Sequence, residues 1–373
     1  MQARELLIAA RLRGDIPGVT RPTDFKLREG DALDPQLLIT DPNYSLYCLD
    51  FDKRTALFVE TPVDVDIYSA PFLYIAQYEN ATRLIEIPYE TLHELAAEVQ
   101  FNAANLILVY SIGRCGSTLV SHALGAVEGV QSLSEPDVLT QMLAEWGADD
   151  LGGGEKALLV RSSIIMQCVP GILTGSNAWA MKFRSSVTEM GPLIYKLFPE
   201  AKLVFLYRAL GPWAKSFFKI MGGGDPNEVQ SLDILRLLFG KGLRGLETRE
   251  EATSLEIMGT LYVPVMEKCI EMLGMGIPMF IFRYEELVKE PLDVLRKMYD
   301  FCGLSSRTVH NLDAILSRDS QEGTLLSRDA PTEMPSQLSA DDLQKLHQMI
   351  QASPHKVPSD GIIPGSYQPK SQA

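Results

Sequence analysis

Short apolar runs alternate with amphipathic stretches through the middle of the chain. Runs rich in β-forming residues at 106–110, 202–207 and 278–282 predict buried parallel strands. Helical patterns follow the first run from Leu119 and the third run from Pro291. Strands that alternate with helices in this way predict an α/β fold, with a central parallel sheet flanked by helices.

The two ends of the chain have different patterns. Near the N-terminus, 45–60 and 70–77 read as strands, and no chemical motif is visible there. The stretch 232–272 reads as mostly helical, and the C-terminus is rich in Pro, Gly and Ser. The sequence therefore predicts three parts: an N-terminal accessory region at 1–100, a core at 101–352 and a loosely ordered tail at 353–373.

Composition and charge narrow the class of protein. Of the 373 residues, 46% are hydrophobic and 22% are charged, which is typical of a globular protein. The net charge of −14 argues against a nucleic-acid binder and against a highly sulfated polyanion as substrate. An acidic surface still leaves room for a local cationic pocket.

Cysteine usage and hydropathy bear on the compartment. The five cysteines are scattered, with no close pair at metal-ligand spacing, which favours reduced thiols in the cytoplasm and no metal site: Cys48, Cys115, Cys168, Cys269 and Cys302. The apolar stretch at the N-terminus is interrupted by Arg11 and Arg13 and is too short for a signal peptide. No run approaches the length of a transmembrane helix. We therefore expect a cytoplasmic protein that does not enter a membrane.

The segment between the first strand and its helix has the character of a phosphate loop. Residues 111–116 are small, polar and glycine-containing, and a strand, tight loop and helix in succession direct backbone N–H groups at an anion. Gly116 is followed by Ser117 and Thr118, so the lysine of the nucleotide-triphosphatase loop is missing. Arg114 supplies the cation instead. The loop thus favours a ligand with one 5′-terminal anionic group over ATP, although an ordinary glycine turn has the same pattern.

Two further motifs follow the later strands. Arg208 stands where the strand 202–207 ends, and Ser216 follows on the next helix. In open α/β sheets ligands bind at the carboxyl ends of the strands, where a guanidinium offers bidentate phosphate recognition. The third strand runs into Arg283-Tyr284-Glu285-Glu286, and Pro291 then opens a helix.

In this order, the three motifs resemble those of the sulfotransferases that use 3′-phosphoadenosine 5′-phosphosulfate (PAPS). The loop resembles the family's 5′-phosphosulfate loop, Arg208 and Ser216 resemble its 3′-phosphate pair, and the segment from Tyr284 resembles its Tyr-Glu-Asp-Leu segment. The resemblance covers residues 105–330 and implies a three-layer P-loop fold. It implies PAPS as co-substrate, bound by Gly113, Arg114, Cys115, Gly116, Ser117, Thr118, Arg208, Ser216, Tyr284, Ser320, Gly323, Thr324, Ser327 and Arg328.

The details of the loop point to one branch of that family. Arg114 stands where cytosolic small-molecule sulfotransferases usually have lysine, so the loop is more similar to those of tyrosylprotein and bacterial sulfotransferases. Cys115 departs from the usual serine. In tyrosylprotein sulfotransferases a glutamate at the spacing of Glu135 is the general base, and a lysine at a place comparable to Lys182 stabilises the leaving group. The resemblance therefore implies Glu135, Arg114 and Lys182 as catalytic residues, with His122 as the alternative base.

Together these features predict an enzyme that transfers a sulfuryl group from PAPS to a hydroxyl or amine. The acceptor is expected to be a small molecule or a peptide, and no metal is required if cationic side chains supply the charge. Two other readings stay open. One is a P-loop kinase that uses ATP, and the other is a non-catalytic protein that has kept a nucleotide pocket.

Overall fold

The computed structural model describes residues 3–14, 18–221, 223–233, 235–236, 245–246, 248–320, 338–352, 357–358 and 361–369. Its strands are β1 Ala3–Arg11, β2 Phe25–Leu33, β3 Tyr44–Asp50, β4 Thr55–Glu60, β5 Arg83–Pro88, β6 Leu106–Ser111, β7 Val130–Ser134, β8 Ala178–Lys182, β9 Lys202–Tyr207, β10 Val229–Ser231, β11 Glu251–Thr253 and β12 Met279–Arg283. Its helices are α1 Leu37–Thr40, α2 Leu73–Asn80, α3 Tyr89–Glu98, α4 Ser117–Gly125, α5 Val138–Trp146, α6 Gly154–Leu173, α7 Gly191–Leu197, α8 Leu210–Ile220, α9 Ser254–Gly274, α10 Tyr284–Lys289, α11 Pro291–Phe301, α12 Leu312–Ser317 and α13 Ala340–Gln351.

A five-stranded sheet lies at the centre of the fold, in the order β12-β9-β6-β8-β7. All of its neighbouring strands pair in parallel. Every residue of β6 is buried, as expected for a strand covered on both faces. The predicted α/β fold, with a parallel sheet flanked by helices, is therefore confirmed.

The strand order creates a binding crevice at one edge of this sheet. From β6 the chain moves to one side to form β7 and β8, and it then crosses to the other side to form β9 and β12. The direction of winding thus changes at β6. In open α/β sheets such a change leaves a crevice outside the carboxyl ends of the two strands concerned, here β6 and β9.

A second sheet is built from the N-terminal region. Its five strands are antiparallel, in the order β2-β1-β5-β4-β3. The strands predicted within 45–60 are present as β3 and β4. The strand predicted at 70–77 is wrong, because residues 73–77 form the first part of the helix α2. Leu73, Tyr74, Ala76 and Gln77 are all buried there, and a short apolar run of this kind has no period that separates strand from helix.

The N-terminal sheet is attached to the parallel sheet by both apolar and polar contacts. One continuous cluster of buried side chains includes Leu46 of β3, Leu108 of β6 and Met166 of α6. The side-chain amide of Gln141 on α5 accepts from Leu49 N at 2.8 Å and donates to Leu49 O at 2.6 Å, which satisfies the open edge of β3. The division of the chain at residue 100 stays a prediction.

Three elements differ from the sequence expectation. The strand β7 was not predicted, and the stretch 232–272 contains β11 before its long helix α9. Helix α6 has the length and composition of a membrane span, contrary to the expectation that no run approaches it. However, 67% of its apolar window is buried inside the protein, as in the core helix of a globular fold.

Part of the predicted loose tail lies against the edge strand β12. Tyr367 N donates to Ile281 O at 2.6 Å, and the Tyr367 hydroxyl donates to Asp293 Oδ2 at 2.5 Å. Ile363 N donates to the Tyr207 hydroxyl at 3.0 Å. Residues 361–369 therefore cover an edge that would otherwise present unpaired backbone groups.

Candidate active site

The predicted site residues lie at the carboxyl ends of five different strands. The phosphate loop, residues 112–116, follows β6, and Glu135 follows β7. Lys182 is the last residue of β8, Arg208 follows β9, and Tyr284 follows β12. Because the strands are parallel, these ends meet at one edge of the sheet. The fold thus brings together residues that are far apart in the sequence.

The loop has the backbone of an anion-binding turn. The φ angles of Gly113, Arg114 and Gly116 are +69°, +50° and +83°, all in the left-handed region. Alternation of this kind with ordinary backbone directs N–H groups to one side of a loop. A Cβ atom on Gly113 would meet open space, whereas one on Gly116 would lie 2.8 Å from the Tyr284 ring. Gly116 is therefore required by close packing as well as by its backbone.

Buried side chains hold the loop from below. Trp213 Nε1 donates to Gly113 O at 3.2 Å, and the Cys115 thiol donates to Leu206 O at 3.4 Å. Burial raises the pKa of Cys115 to about 12, so the thiol stays neutral. The Cys115 side chain thus belongs to the core, and only its backbone faces the loop. This explains why the residue can differ from serine.

Arg114 of the loop and Arg208 lie close together. Arg208 Nη1 donates to the carbonyl oxygen of Arg114 at 3.3 Å, and the Arg208 guanidinium lies 4.7 Å from the centre of the Tyr284 ring. Burial and the charge of Arg208 lower the pKa of Arg114, against a smaller opposing effect of Asp319. The buried Arg208 Nε has no hydrogen-bond partner among the described residues. Negative charge bound at the guanidinium groups would offset the unfavourable burial and mutual repulsion of these two cations.

The Tyr-Glu-Glu segment also supports Arg208 from behind. Glu285 accepts from Ala209 N at 3.2 Å, and the Tyr262 hydroxyl donates to Arg208 O at 3.0 Å. These bonds fix the turn between β9 and α8. Glu285 and Tyr262 thus hold the two polar groups of the peptide bond that follows Arg208.

Two further predicted donor-binding residues lie on α8 and after α12. Ser216 is partly exposed on α8, and Ser320 is partly buried after α12. Asp319, the neighbour of Ser320, acts electrostatically on Arg114, which places this segment near the loop. The other predicted residues of this segment lie outside the described part of the chain: Gly323, Thr324, Ser327 and Arg328.

Glu135 and Lys182 form a buried ion pair. Lys182 Nζ contacts Glu135 Oε1, and Glu135 N donates to Lys182 O at 2.6 Å. The Lys182 side chain is 4% exposed and that of Glu135 is 14% exposed. Glu135 has a φ of +58°, an unusual value for a residue with a side chain. Strained backbone of this kind is found preferentially at functional sites.

Two further charged residues, which the sequence motifs do not reveal, lie beside this pair. Arg184 Nε lies 2.9 Å from Asp137 Oδ1 and 3.7 Å from Glu135 Oε2. Each stands two residues after a predicted one, Asp137 after Glu135 and Arg184 after Lys182. Only the register of β7 and β8, in which Ser134 pairs with Lys182, brings them together. No local signal in the sequence reveals that register.

His122, the alternative base, lies on α4 and is partly buried. Burial and the charge of Lys182 lower the pKa of this imidazole, which keeps it neutral at physiological pH. Its Nε2 atom has no hydrogen-bond partner within the described structure. Among the described residues there is no cluster of three or more His, Cys, Asp or Glu that could hold a metal ion.

Comparisons with known proteins agree with this arrangement. A family model described as the sulfotransferase family matches residues 107–308, more than half of the chain. No curated protein matches the sequence. Similar solved structures include a sulfotransferase from Alicyclobacillus acidocaldarius, with 14% identity, coverage of 68% of this chain and 94% of that one, and a TM-score of 0.39. The sulfotransferase domain from the curacin biosynthetic pathway has 16% identity, coverage of 66% and 96%, and a TM-score of 0.38.

A third similar structure is sulfotransferase STF9 from Mycobacterium avium, with 13% identity, coverage of 74% of this chain and 76% of that one, and a TM-score of 0.34. The match to the family model, rather than these distant likenesses, decides the assignment. It spans the phosphate loop, Arg208 and the segment from Tyr284. The chain therefore belongs to the sulfotransferase family.

Proposed function

We propose that this sulfotransferase moves a sulfuryl group from PAPS to a hydroxyl or amine of a small-molecule or peptide acceptor, with Glu135 as the general base. The observation that most supports the proposal is the placement of Arg114 and Arg208. These two half-buried cations follow the adjacent strands β6 and β9, and Arg114 belongs to a loop with left-handed backbone. Such a site is suited to a ligand with anionic groups at two separate positions.

The residues present fit a donor of this kind. We propose that its 5′ end is held by the N–H groups of the loop and by the hydroxyl groups of Ser117 and Thr118, at the start of α4. Arg208, whose Nε is buried without a described partner, is placed to hold the 3′-phosphate together with Ser216. Tyr284 offers a ring for the adenine. When bound, PAPS supplies a sulfuryl group that is already activated for transfer.

The remaining chemistry falls to side chains of this chain. Glu135 is positioned to take the acceptor proton on a carboxylate oxygen, which makes the acceptor more nucleophilic. Arg114 and Lys182 place positive charge where negative charge grows during transfer. Lys182 contacts Glu135 and lies close enough to Cys115 and His122 for its charge to act on the pKa of both. Most of the rate enhancement is expected from positioning and electrostatics.

We also propose a cytoplasmic location. All five cysteines are free and buried, in keeping with a reducing compartment. The kinase alternative is disfavoured because the loop has no Gly-Lys-Ser/Thr sequence and the matching family is one of sulfotransferases. The non-catalytic alternative differs from our proposal only in turnover, because both predict nucleotide binding.

A thermal-shift titration separates these possibilities. We expect the reaction product 3′-phosphoadenosine 5′-phosphate (PAP) to stabilise the protein by about 2.7 kcal/mol at a hundredfold excess over its Kd, and ATP with Mg²⁺ to have little effect. The reverse order would support a kinase. Radiolabelled PAPS is then tested with a panel of hydroxyl and amine acceptors. If the protein binds PAP but transfers the label to no acceptor, the non-catalytic alternative is favoured.

A further inference from the structure

We infer that Arg184 and Asp137 form a positioning pair that orients Glu135 for proton transfer, and that the N-terminal region completes this pair. The inference rests on the proposed function, in which Glu135 is the base. Neither residue belongs to the motifs that identify the family, and Arg184 faces the Glu135 oxygen that Lys182 does not contact. They are positioning residues because they act through Glu135.

Arg184 lies between two carboxylates. Its Nε atom is 2.9 Å from Asp137 Oδ1 and 3.7 Å from Glu135 Oε2, on the side of Glu135 opposite to the contact of Oε1 with Lys182. Each Glu135 oxygen therefore faces a different cation. Together with the Glu135 backbone bond to Lys182 O, this arrangement leaves the carboxylate little freedom to rotate. A base held in this way is ready to meet a proton at a fixed point.

Arg184 and Asp137 are both largely buried, and a gain in folding stability does not explain why charged residues occupy these positions. The Asp137 side chain is fully buried and that of Arg184 is 12% exposed. Buried ion pairs contribute little net stability, because removing both charges from water offsets their attraction. Burial opposes the charge on Arg184, but Asp137, Tyr74 and Glu135 outweigh it and the pKa of the guanidinium is raised. Arg184 thus remains a cation beside Glu135 at all relevant pH values.

The N-terminal region holds the far side of the pair. Thr20 N donates to Asp137 Oδ2 at 2.7 Å, and Arg184 Nη2 donates to Gly18 O at 3.4 Å. The Arg184 guanidinium also lies 4.3 Å from the centre of the Tyr74 ring on α2. Close by, the Ser134 hydroxyl donates to Pro71 O at 2.6 Å. The N-terminal region therefore contacts both members of the pair that flanks Glu135.

This geometry predicts opposite electrostatic effects for the two members of the pair. The charged or titratable groups that face Glu135 are Lys182 from β8, Arg184 after it, Asp137 before α5, and Tyr74 from α2. Removing Arg184 takes away a cation and leaves Asp137 to repel the carboxylate, so Glu135 should hold a proton more tightly. Removing the charge of Asp137 frees Arg184 to pair with Glu135, so Glu135 should hold a proton less tightly.

The test compares Arg184→Met, Arg184→Lys and Asp137→Asn with the wild type on one acceptor, over a range of pH. Arg83→Met is the control, since the ion pairs of Arg83 run to Glu5 and Glu60 within the N-terminal sheet. We expect the acid limb of kcat/KM to move up by about half a unit to one unit in Arg184→Met and down by a similar amount in Asp137→Asn. Arg184→Lys keeps the charge, so its limb should stay near that of the wild type while kcat falls several-fold.

Two further measurements separate positioning from folding and from the proposed function. PAP affinity by calorimetry should be unchanged in every variant, because the contacts of the pair run to Glu135, Tyr74 and the N-terminal region. A ¹³C-carboxyl NMR titration of the donor-free protein, assigned with Glu135→Gln, should give the same order of midpoints. This order of midpoints would support the inference even if no acceptor is sulfated. Failure to sulfate any acceptor would then count against the proposed function alone. If Arg184→Met does not fold, Asp137→Asn and Arg184→Lys still decide the matter.

Three results would overturn the inference. The first is an acid limb that moves in the same direction in Asp137→Asn and Arg184→Met. The second is an acceptor KM that rises in these variants while kcat stays unchanged, which would make Arg184 an acceptor-binding residue. The third is a change in the pH profile of Arg83→Met as large as that of Asp137→Asn. In that case Arg184 and Asp137 would contribute only to the stability of the fold.

Discussion

The two sides of the candidate active site differ in how their charges are balanced. On the proposed donor side, the cations Arg114 and Arg208 lie close enough for one to lower the pKa of the other. On the proposed acceptor side, two cations and two carboxylates alternate, in the order Lys182, Glu135, Arg184 and Asp137. The first side is built to receive an anion from outside. The second is already neutral, so it can hold a proton acceptor in place without a bound ligand.

The two sides also differ in where their residues come from. The donor side is assembled from the loop after β6, the end of β9 and the start of α10, all within the parallel sheet and its helices. The acceptor side includes backbone groups of Gly18 and Thr20 and the ring of Tyr74. The comparison therefore predicts that donor binding and proton transfer can be damaged separately.

The largest effect is expected from Glu135→Gln. The variant keeps the shape of the side chain but cannot accept a proton, so turnover should fall by about 10²- to 10⁴-fold. PAP affinity should barely change, because Glu135 lies on the other side of the site. His122→Asn, assayed on the same acceptor, is the matched control. An inactive His122→Asn beside an active Glu135→Gln would transfer the role of base to the histidine.

Arg114→Ala should lower turnover by about 10²- to 10³-fold, the usual effect of removing one group that stabilises developing charge. The fold should stay intact, because Arg114 lies in a loop and its left-handed backbone is equally available to alanine. Arg161→Ala removes an exposed arginine from α6 and serves as the control for net charge. Turnover near that of the control would exclude Arg114 from the mechanism.

Gly116→Ala tests the close packing of the donor side. The new Cβ atom would lie 2.8 Å from the Tyr284 ring, and the φ of +83° is unfavourable for alanine, so the free energy of unfolding should fall by about 2–3 kcal/mol. Gly113→Ala has a similar φ of +69° with nothing within 4 Å, and should cost about 1 kcal/mol. Equal losses in urea denaturation would mean that the contact with Tyr284 is unimportant.

A smaller effect is expected where the acceptor side joins the N-terminal sheet. Gln141→Leu leaves the buried N–H and C=O groups of Leu49 without the amide, which should lower the free energy of unfolding by about 1–3 kcal/mol. Gln167→Leu is the control. It removes one bond of 3.2 Å to Leu46 O, an oxygen that Gln77 also serves at 3.1 Å. A larger loss in the control than in Gln141→Leu would show that the polar attachment of β3 is not what matters.

Much of the donor side could be predicted from the sequence because its signals are local. An apolar run, a glycine-containing loop and a helical pattern lie next to each other in residues 106–124, and they become β6, the loop and α4. The same holds for the run that ends at Arg208 and for the one that leads to Tyr284. Each motif is a strand end followed by a helix, so the fold class and the placement of these residues follow together.

The acceptor side could be predicted only in part, because its signals are not local. The strand β7 has the sequence Val-Gln-Ser-Leu-Ser and contains no apolar run that would predict a strand. Its serines can nevertheless be buried, because groups elsewhere in the fold satisfy their hydrogen bonds. Ser132, for example, pairs with Ser121 at 2.8 Å. The role of Glu135 therefore follows from the family resemblance and not from a local strand signal. Arg184 and Asp137 depend on the pairing of β7 with β8, which a single sequence does not reveal.

The most direct test of the separation between the two sides is a calorimetric titration with two nucleotides. PAP and adenosine 5′-phosphosulfate, which lacks the 3′-phosphate, are each titrated into the wild type, Arg208→Ala, Ser216→Ala and Glu135→Gln. We expect Arg208→Ala to weaken PAP binding by about 1.5–3 kcal/mol, and Ser216→Ala to weaken it as well. The affinity of both variants for adenosine 5′-phosphosulfate should change little. Glu135→Gln should bind both nucleotides as the wild type does. Equal losses for the two nucleotides in Arg208→Ala, or a PAP affinity that falls as far in Glu135→Gln, would contradict this separation.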